Sequence, residues 1–169
     1  NLIRSHAAGV GPTLSRSTIL CLWILRLNVI ARGHSGVRET TVHQIIAALK
    51  KGFLAVVPSQ GSVGASGDLA PSAHAVLALL GEGSSTIPNK DTFEEVPAAT
   101  GLKKLGLQPI TLGPKEGLSL INGTQLTSAY GVQALFEAKQ LINTANLALC
   151  LSIEGMRASH QIYNRKVME

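Results

Sequence analysis

Residues 61–71 read Gly-Ser-Val-Gly-Ala-Ser-Gly-Asp-Leu-Ala-Pro, with no lysine, histidine or cysteine among them. Inside that stretch Ala65, Ser66 and Gly67 are three consecutive small residues, and their order permits a reaction of the backbone itself. The Gly67 nitrogen can add to the Ala65 carbonyl carbon if the chain folds tightly, because glycine lacks a Cβ and tolerates unusual backbone angles. Loss of one water closes a five-membered ring. Loss of the Ser66 hydroxyl as a second water leaves an exocyclic methylidene, giving 4-methylidene-imidazol-5-one. That group is a strong electrophile and needs neither a side-chain nucleophile nor a metal to form. A helix starting near Asp68–Pro71 would turn its positive end toward the ring and favour negative charge developing there. On composition alone, a flexible turn feeding a helix suits the same residues.

Other glycine-rich loops fit less well. A phosphate-binding loop needs Gly-Lys-Ser/Thr, whereas Gly67 is followed by Asp68, whose charge repels phosphate. A nucleophile elbow needs G-x-S-x-G, and Asp68 stands where its last glycine belongs. The dinucleotide fingerprint needs G-x-G-x-x-G within a βαβ unit, and neither the spacing nor a parallel sheet is present. The histidines form no i, i+4 pair with an intervening glutamate, so no metal is expected. His43, His74 and His160 are expected to be structural or solvated.

The elements around this loop read as mainly helical. Thr13 to Ala31 forms an apolar helix ended by Gly33. Glu39 to Lys51 forms an amphipathic one, with Val42, Ile45, Ile46 and Leu49 on one face, Thr40 or Thr41 as cap and Gly52 as stop. Phe53–Val57 is a short strand or extended link. Pro71 opens a helix through Leu80. Gly81–Thr100 is a polar surface excursion, Leu102–Leu105 a helical turn and Pro109–Leu112 a small strand. From Asn122 to His160 the pattern is helical for nearly forty residues, about 55–60 Å at 1.5 Å per residue. The fold class is therefore mainly α, a long-helix bundle with minor short β elements.

Composition limits the partners. Of 169 residues 45% are hydrophobic and only 15% charged, against about 25% in an ordinary globular chain, so much of the surface is expected to lie against other chains or the rest of a longer one. The net charge of +5 comes from scattered basic residues without an aromatic platform, which argues against nucleic-acid binding. The greasy run from Cys21 to Ala31 is broken by Arg26 and Asn28 and is too short to span a membrane. Cys21 and Cys150 read as reduced, buried thiols of a cytoplasmic protein. The chain starts at Asn1 rather than a methionine and reads as an excerpt.

Four blocks resemble the aromatic amino acid ammonia-lyases, and among them the histidine ammonia-lyases: NLIRSHAAGVG (Asn1–Gly11), RLNVIARGHSGV (Arg26–Val37), GSVGASGDLAPSAHAVLALLGEG (Gly61–Gly83) and LGPKEGLSLINGTQLTSA (Leu112–Ala129). They occur in family order over nearly the whole chain. The resemblance implies the central part, residues 1–169, of one larger catalytic domain, in a cytoplasmic homotetramer whose active sites combine three subunits. It implies non-oxidative deamination of L-histidine to trans-urocanate and ammonia, as in histidine catabolism. Ala65, Ser66 and Gly67 match the tripeptide that cyclises autocatalytically. Asp68 matches an aspartate that assists cyclisation, Asn122 the asparagine beside the prosthetic group, and His6 a substrate-contacting histidine.

The Ser5-His6 pair resembles histidine lyases, where phenylalanine lyases have Phe-Leu and tyrosine lyases His-Leu. A phenylalanine or tyrosine lyase, or an aminomutase, is the sister alternative, and a non-catalytic helical fragment the alternative of another class. The family's base, a tyrosine, lies before Asn1, and its substrate-binding arginine beyond Glu169. The 169-residue chain alone is therefore expected to be inactive; Tyr130 and Tyr163 match no motif. His34 and Ser72 replace a tyrosine and a larger apolar residue, and the sequence after Leu151 drifts from the family pattern. Lys115 and Glu116 are expected to shape the turn before the long helix.

Overall fold

A computed structural model describes residues 1–168. The chain divides into two compact units, Asn1–Tyr130 and Gly131–Glu169.

In the first unit, helix α1 (Leu2–His6) leads into strand β1 (Val10–Thr13), and helix α2 spans Arg16–Ala31. The helix expected from Thr13 starts three residues later. Leu14 N donates to Val57 O and Ser15 takes the cap, its hydroxyl accepting from Thr18 N at 3.1 Å. Helix α3 (Glu39–Lys50) follows, then strands β2 (Leu54–Ala55) and β3 (Pro58–Gln60), and helix α4 (Leu69–Leu79). Neither Thr40 nor Thr41 caps α3; its cap is Arg38, without a side-chain bond. Proline at position three of α4 has no intrahelical N–H to lose.

Gly81–Thr100, expected as a polar surface excursion, is ordered into regular structure. It contains a hairpin of β4 (Ser84–Asn89) and β5 (Thr92–Pro97), and it runs into helix α5 (Ala98–Lys104). The strands pair antiparallel from Ser84–Pro97 to Asn89–Thr92, and β2 adds to the other edge of β4. The inward residues of β4 are Ser85 and Ile87, so half of the alternation is carried by a hydroxyl and is invisible to an apolar count. Pro109–Leu112 is not a strand. Ile110 N donates to Leu79 O at 2.9 Å, which straps this segment over the end of α4. β1 and β3 form a separate antiparallel pair, Val10 opposite Gln60.

Phe53, Ile19, Ile45, Val57, Val76 and Leu102 lie at the centre of one apolar core. Arg16 fastens α2 to the hairpin: its guanidinium lies 3.6 Å from the Phe93 ring centroid and donates to Gly52 O at 2.8 Å. Helix α6 (Glu116–Ile121) packs on α1 and α4.

Helix α7 spans Gln125–Gly155, 31 residues, shorter than the span expected from Asn122 to His160. Asn122–Thr124 lie outside its start. Arg157, at a left-handed φ of 50°, follows its end, and His160–Tyr163 form a 3-10 turn before helix α8 (Arg165–Met168). In the second unit the helix exposes Leu135, Phe136, Leu141, Ile142, Leu147 and Leu151. Cys150, on the same segment, is exposed rather than buried as expected; Cys21 is half-buried, and both are free thiols. No helix among the described residues is long and apolar enough to cross a membrane.

Gly101 sets the approach of α5 to the sheet, since a Cβ there would lie 2.5 Å from Ser85 Oγ and 3.2 Å from Ile87 Cγ2. Gly101→Ala should therefore destabilise the protein by about 1–3 kcal/mol through overpacking, read as a lower denaturant midpoint; an unchanged midpoint would contradict this packing.

Candidate active site

The Ala65–Gly67 tripeptide is held from below by one buried acid. Strand β3 delivers the chain to Gly61, and α4 begins at Leu69. Between them Val63 is 90% exposed, and Ala65 and Ser66 are also exposed. Asp68 is only 1% exposed. Its Oδ1 accepts from Ser62 Oγ at 2.7 Å and Thr127 Oγ1 at 3.0 Å, and its Oδ2 accepts from Thr127 N at 2.8 Å. One carboxylate thus ties the start of the loop to the first turn of α7. A buried acid needs such partners, because an unpaired charge away from water is costly.

The second support is the turn at Asn122 and Gly123. Asp68 N donates to Gly123 O at 2.6 Å. Gly67 has φ +102°, and a Cβ there would sit 2.8 Å from Gly123 O. Glycine is required at 67 on both counts. The conformation that places Gly67 against this turn is one that residues with a Cβ rarely adopt.

Asn122 terminates α6 in extended backbone geometry, and its own N–H donates to Leu118 O at 2.9 Å. It is therefore not the N-cap of the long helix, although asparagine suits that position. Its side chain is exposed, on the turn against which Gly67 packs.

Arg26, on α2, holds that turn from the inside. It is 4% exposed. Its Nη1 donates to Asn122 O at 2.8 Å and to Gln125 Oε1 at 3.1 Å, and its Nη2 donates to Ser119 O. All three acceptors are neutral oxygens. Burial accordingly lowers the pKa of this guanidinium. Its Nε is buried without a hydrogen-bond partner among the described residues, a state that costs about 1–3 kcal/mol. Gly123 is confined as well: a Cβ would meet Gln125 Oε1 at 2.2 Å and Arg26 Nη1 at 2.6 Å. In the sequence Arg26 stands out as a break in a greasy run and as the first residue of a family block, with no role attached to it. A lone charge in an apolar helix was the available signal.

Glu116 secures the other end of α6. It is 1% exposed. It accepts from Arg38 N at 2.8 Å, Arg38 Nη2 at 2.8 Å, Thr41 Oγ1 at 2.9 Å and Gly113 N at 2.5 Å. Burial pushes this carboxyl's pKa up, but the Arg38 guanidinium, the two backbone N–H groups and the Thr41 hydroxyl outweigh it and bring it down to about 2. Lys115 precedes it at a left-handed φ of 68°. The pair thus shapes the turn into α6 rather than one directly before α7.

His6 is half-buried at the end of α1. Its Nδ1 lies 2.9 Å from Leu2 O, a pure acceptor, so Nδ1 carries the proton. In the neutral ring Nε2 is then left as an acceptor. Ser5 Oγ lies 3.0 Å from the same Nδ1 and donates to Leu2 O at 2.8 Å. The chain after His6 passes under the loop: a Cβ on Gly61 would lie 3.0 Å from Gly9 Cα, and Gly9 N donates to His74 Nε2 at 3.0 Å. His74 is therefore structural, and burial lowers its pKa. His43 and His160 are exposed, the latter 3.3 Å from Glu154. A cavity of about 470 Å³ lies between α1 and α6, lined by Leu2, Arg4, Glu82 and Leu118, away from the tripeptide. Among the described residues no three metal-ligating side chains stand together.

A family profile described as aromatic amino acid lyase matches residues 1–169. The chain belongs to the aromatic amino acid lyase family. Among curated relatives, the histidine ammonia-lyase of Anaeromyxobacter dehalogenans is 46% identical over 164 residues, 95% of this chain and 32% of that protein. Among solved structures, histidine ammonia-lyase from Trypanosoma cruzi superposes with a TM-score of 0.91 at 42% identity, over 99% of this chain and 32% of that one. Phenylalanine aminomutase from Pantoea agglomerans superposes at 0.90 with 30% identity, over 99% and 31%. The chain thus spans about a third of the length of the lyases it matches. Its mainly α fold with short strands is that of the aromatic lyases. Lyase and aminomutase share this backbone almost equally, so fold alone does not choose between their chemistries.

The Glu116 carboxyl lies below its ordinary value of 4.5 in the folded chain, so its stabilisation is in place above pH 4.5 and is lost as the pH falls toward 2. Its size is on the order of 3 kcal/mol. Glu116→Gln should lower the neutral-pH unfolding midpoint and flatten the acid-side stability profile; an unaltered profile would contradict the assignment.

Proposed function

We propose that this chain carries the electrophile-forming part of a histidine ammonia-lyase, which deaminates L-histidine non-oxidatively to trans-urocanate and ammonia. The observation that carries the proposal is the tripeptide's setting. Ala65 and Ser66 stand exposed, while the next residues are pinned by the buried Asp68 carboxylate and packed on Gly123. A backbone that must bring a nitrogen onto a carbonyl carbon two residues away needs small residues, an unusual glycine conformation and rigid anchors. All three are present. The relatives' names and the Ser5-His6 pair favour histidine over phenylalanine or tyrosine.

The residues divide the work as follows. Ala65, Ser66 and Gly67 are the source of the methylidene-imidazolone, which supplies an electrophile for the substrate. Asp68 fixes the loop and sits one bond from the cyclising nitrogen's residue. The exposed Asn122 amide can both donate and accept, which suits it to orient the ring or the substrate amine. His6, with its proton on Nδ1, offers Nε2 as an acceptor to a substrate N–H. The base and a substrate-binding arginine are assigned, by family likeness, to segments on either side of residues 1–169, within one catalytic domain.

A cytoplasmic homotetramer with shared sites belongs to the same proposal. Leu135, at 74% exposure, and the apolar side chains around it on α7 support burial against other chains.

In the complete protein, Ser66→Ala should abolish the near-ultraviolet absorbance of the conjugated ring. Urocanate formation should fall by more than the 10²–10³-fold, on the order typical of losing one stabilising donor. Retained activity would refute the role of Ser66. Preference for phenylalanine or tyrosine over histidine in the parent would reassign the substrate to the sister reading.

A further inference from the structure

Arg26 is a buried cation whose hydrogen bonds go to the end of α6 and to the turn that braces the tripeptide. It lies on α2 and is 4% exposed. Of its donors, Nη1 holds Asn122 O and Gln125 Oε1 while Nη2 holds Ser119 O. These oxygens lie at the end of α6, at its terminal residue and in the first turn of α7. The guanidinium therefore closes the carbonyl end of α6, where the helix dipole favours a cation. It also fixes the peptide between Asn122 and Gly123 from its inner side. The outer side of the same turn, Gly123 O, receives Asp68 N at 2.6 Å and packs on Gly67.

We propose that Arg26 is a positioning residue for ring formation, acting through the Asn122–Gly123 turn to press Gly67 into the conformation that lets its nitrogen reach the Ala65 carbonyl. Three features point to this role rather than to general stability. The acceptors are neutral, so the cation is not there to neutralise a buried acid. Its Nε has no hydrogen-bond partner among the described residues, so the hydrogen bonds its side chain makes there all go to Ser119, Asn122 and Gln125. Gly123 has no room for a Cβ on either the Arg26 or the Gln125 side, so turn and guanidinium are fitted to each other. Arg26 takes no part in the bond changes. The Gly67 nitrogen still forms the new bond to the Ala65 carbon, and two waters still leave. The proposal rests on the reading that Ala65–Gly67 cyclises.

The test uses the complete protein as parent, Arg26→Gln and Arg26→Lys. Gln removes the charge and the fork; Lys keeps a cation that reaches one carbonyl. Soluble, assembled protein is isolated at timed intervals after synthesis, and intact mass gives the fraction that has lost two waters. Circular dichroism reports the fold of the same samples. A turn displaced by about 1 Å slows a reaction that depends on alignment by on the order of 10²-fold. That slowing is expected for folded Arg26→Gln, with Arg26→Lys between it and the parent. If either folded variant loses both waters at the parent's rate, the proposal is overturned. Failure of both variants to yield soluble protein overturns it too, because Arg26 would then hold the fold and not the loop. A parent that keeps its unmodified mass refutes the cyclisation reading itself, and the proposal with it.

Discussion

The buried carboxylate of Asp68 is the constraint on which the site depends. An acid at 1% exposure is tolerated only when its oxygens are satisfied, and here they are satisfied by Ser62 before the tripeptide and Thr127 beyond the long connection. That one group brings residues 59 positions apart into one cluster. Its own N–H adds Gly123. The loop above it is then anchored at its base and open at its tip, the combination a backbone cyclisation requires.

Around this cluster the elements form a chain of supports. The α3 entry at Arg38 and Thr41 fixes Glu116, and Glu116 fixes the start of α6. Arg26 closes the end of α6, and the turn after it touches Gly67. The segment after α1 lies along the base of the loop through Gly9, which His74 of α4 holds. Three buried polar groups, Asp68, Glu116 and Arg26, therefore tie apolar helices into one register. Hydrophobic burial alone does not specify register, because apolar contacts are non-directional; these hydrogen bonds do.

Much of this was legible in the residues. The periodicity of Glu39–Lys50 and the apolar body of α2 marked their helices, and the bare Gly61–Asp68 stretch marked the candidate site. What was hidden depended on tertiary contacts. The β4–β5 hairpin escaped because Ser85 takes an inward position usually held by an apolar side chain. Asn122 is a strong helix-starting residue by type, yet it ends α6, since Arg26 supplies the donors that let a helix stop there. Apolar or unbroken runs extend the helical pattern over Thr13, Asn122–Thr124 and His160, whereas Ser15, the Gly123 turn and the left-handed Arg157 set the real limits. The greasy neighbours of Cys150 suggest burial, yet it is exposed. Those neighbours are exposed as well, which no local pattern reveals.

On the proposed function, Ala65, Ser66 and Gly67 are rebuilt into an electrophile. Tandem mass spectrometry of the proteolytic peptide containing these residues, taken from the complete protein, tests it most directly. A deficit of two waters is expected, with fragment ions that confine it to residues 65–67. A peptide of unmodified mass, or a deficit mapped elsewhere, would contradict it.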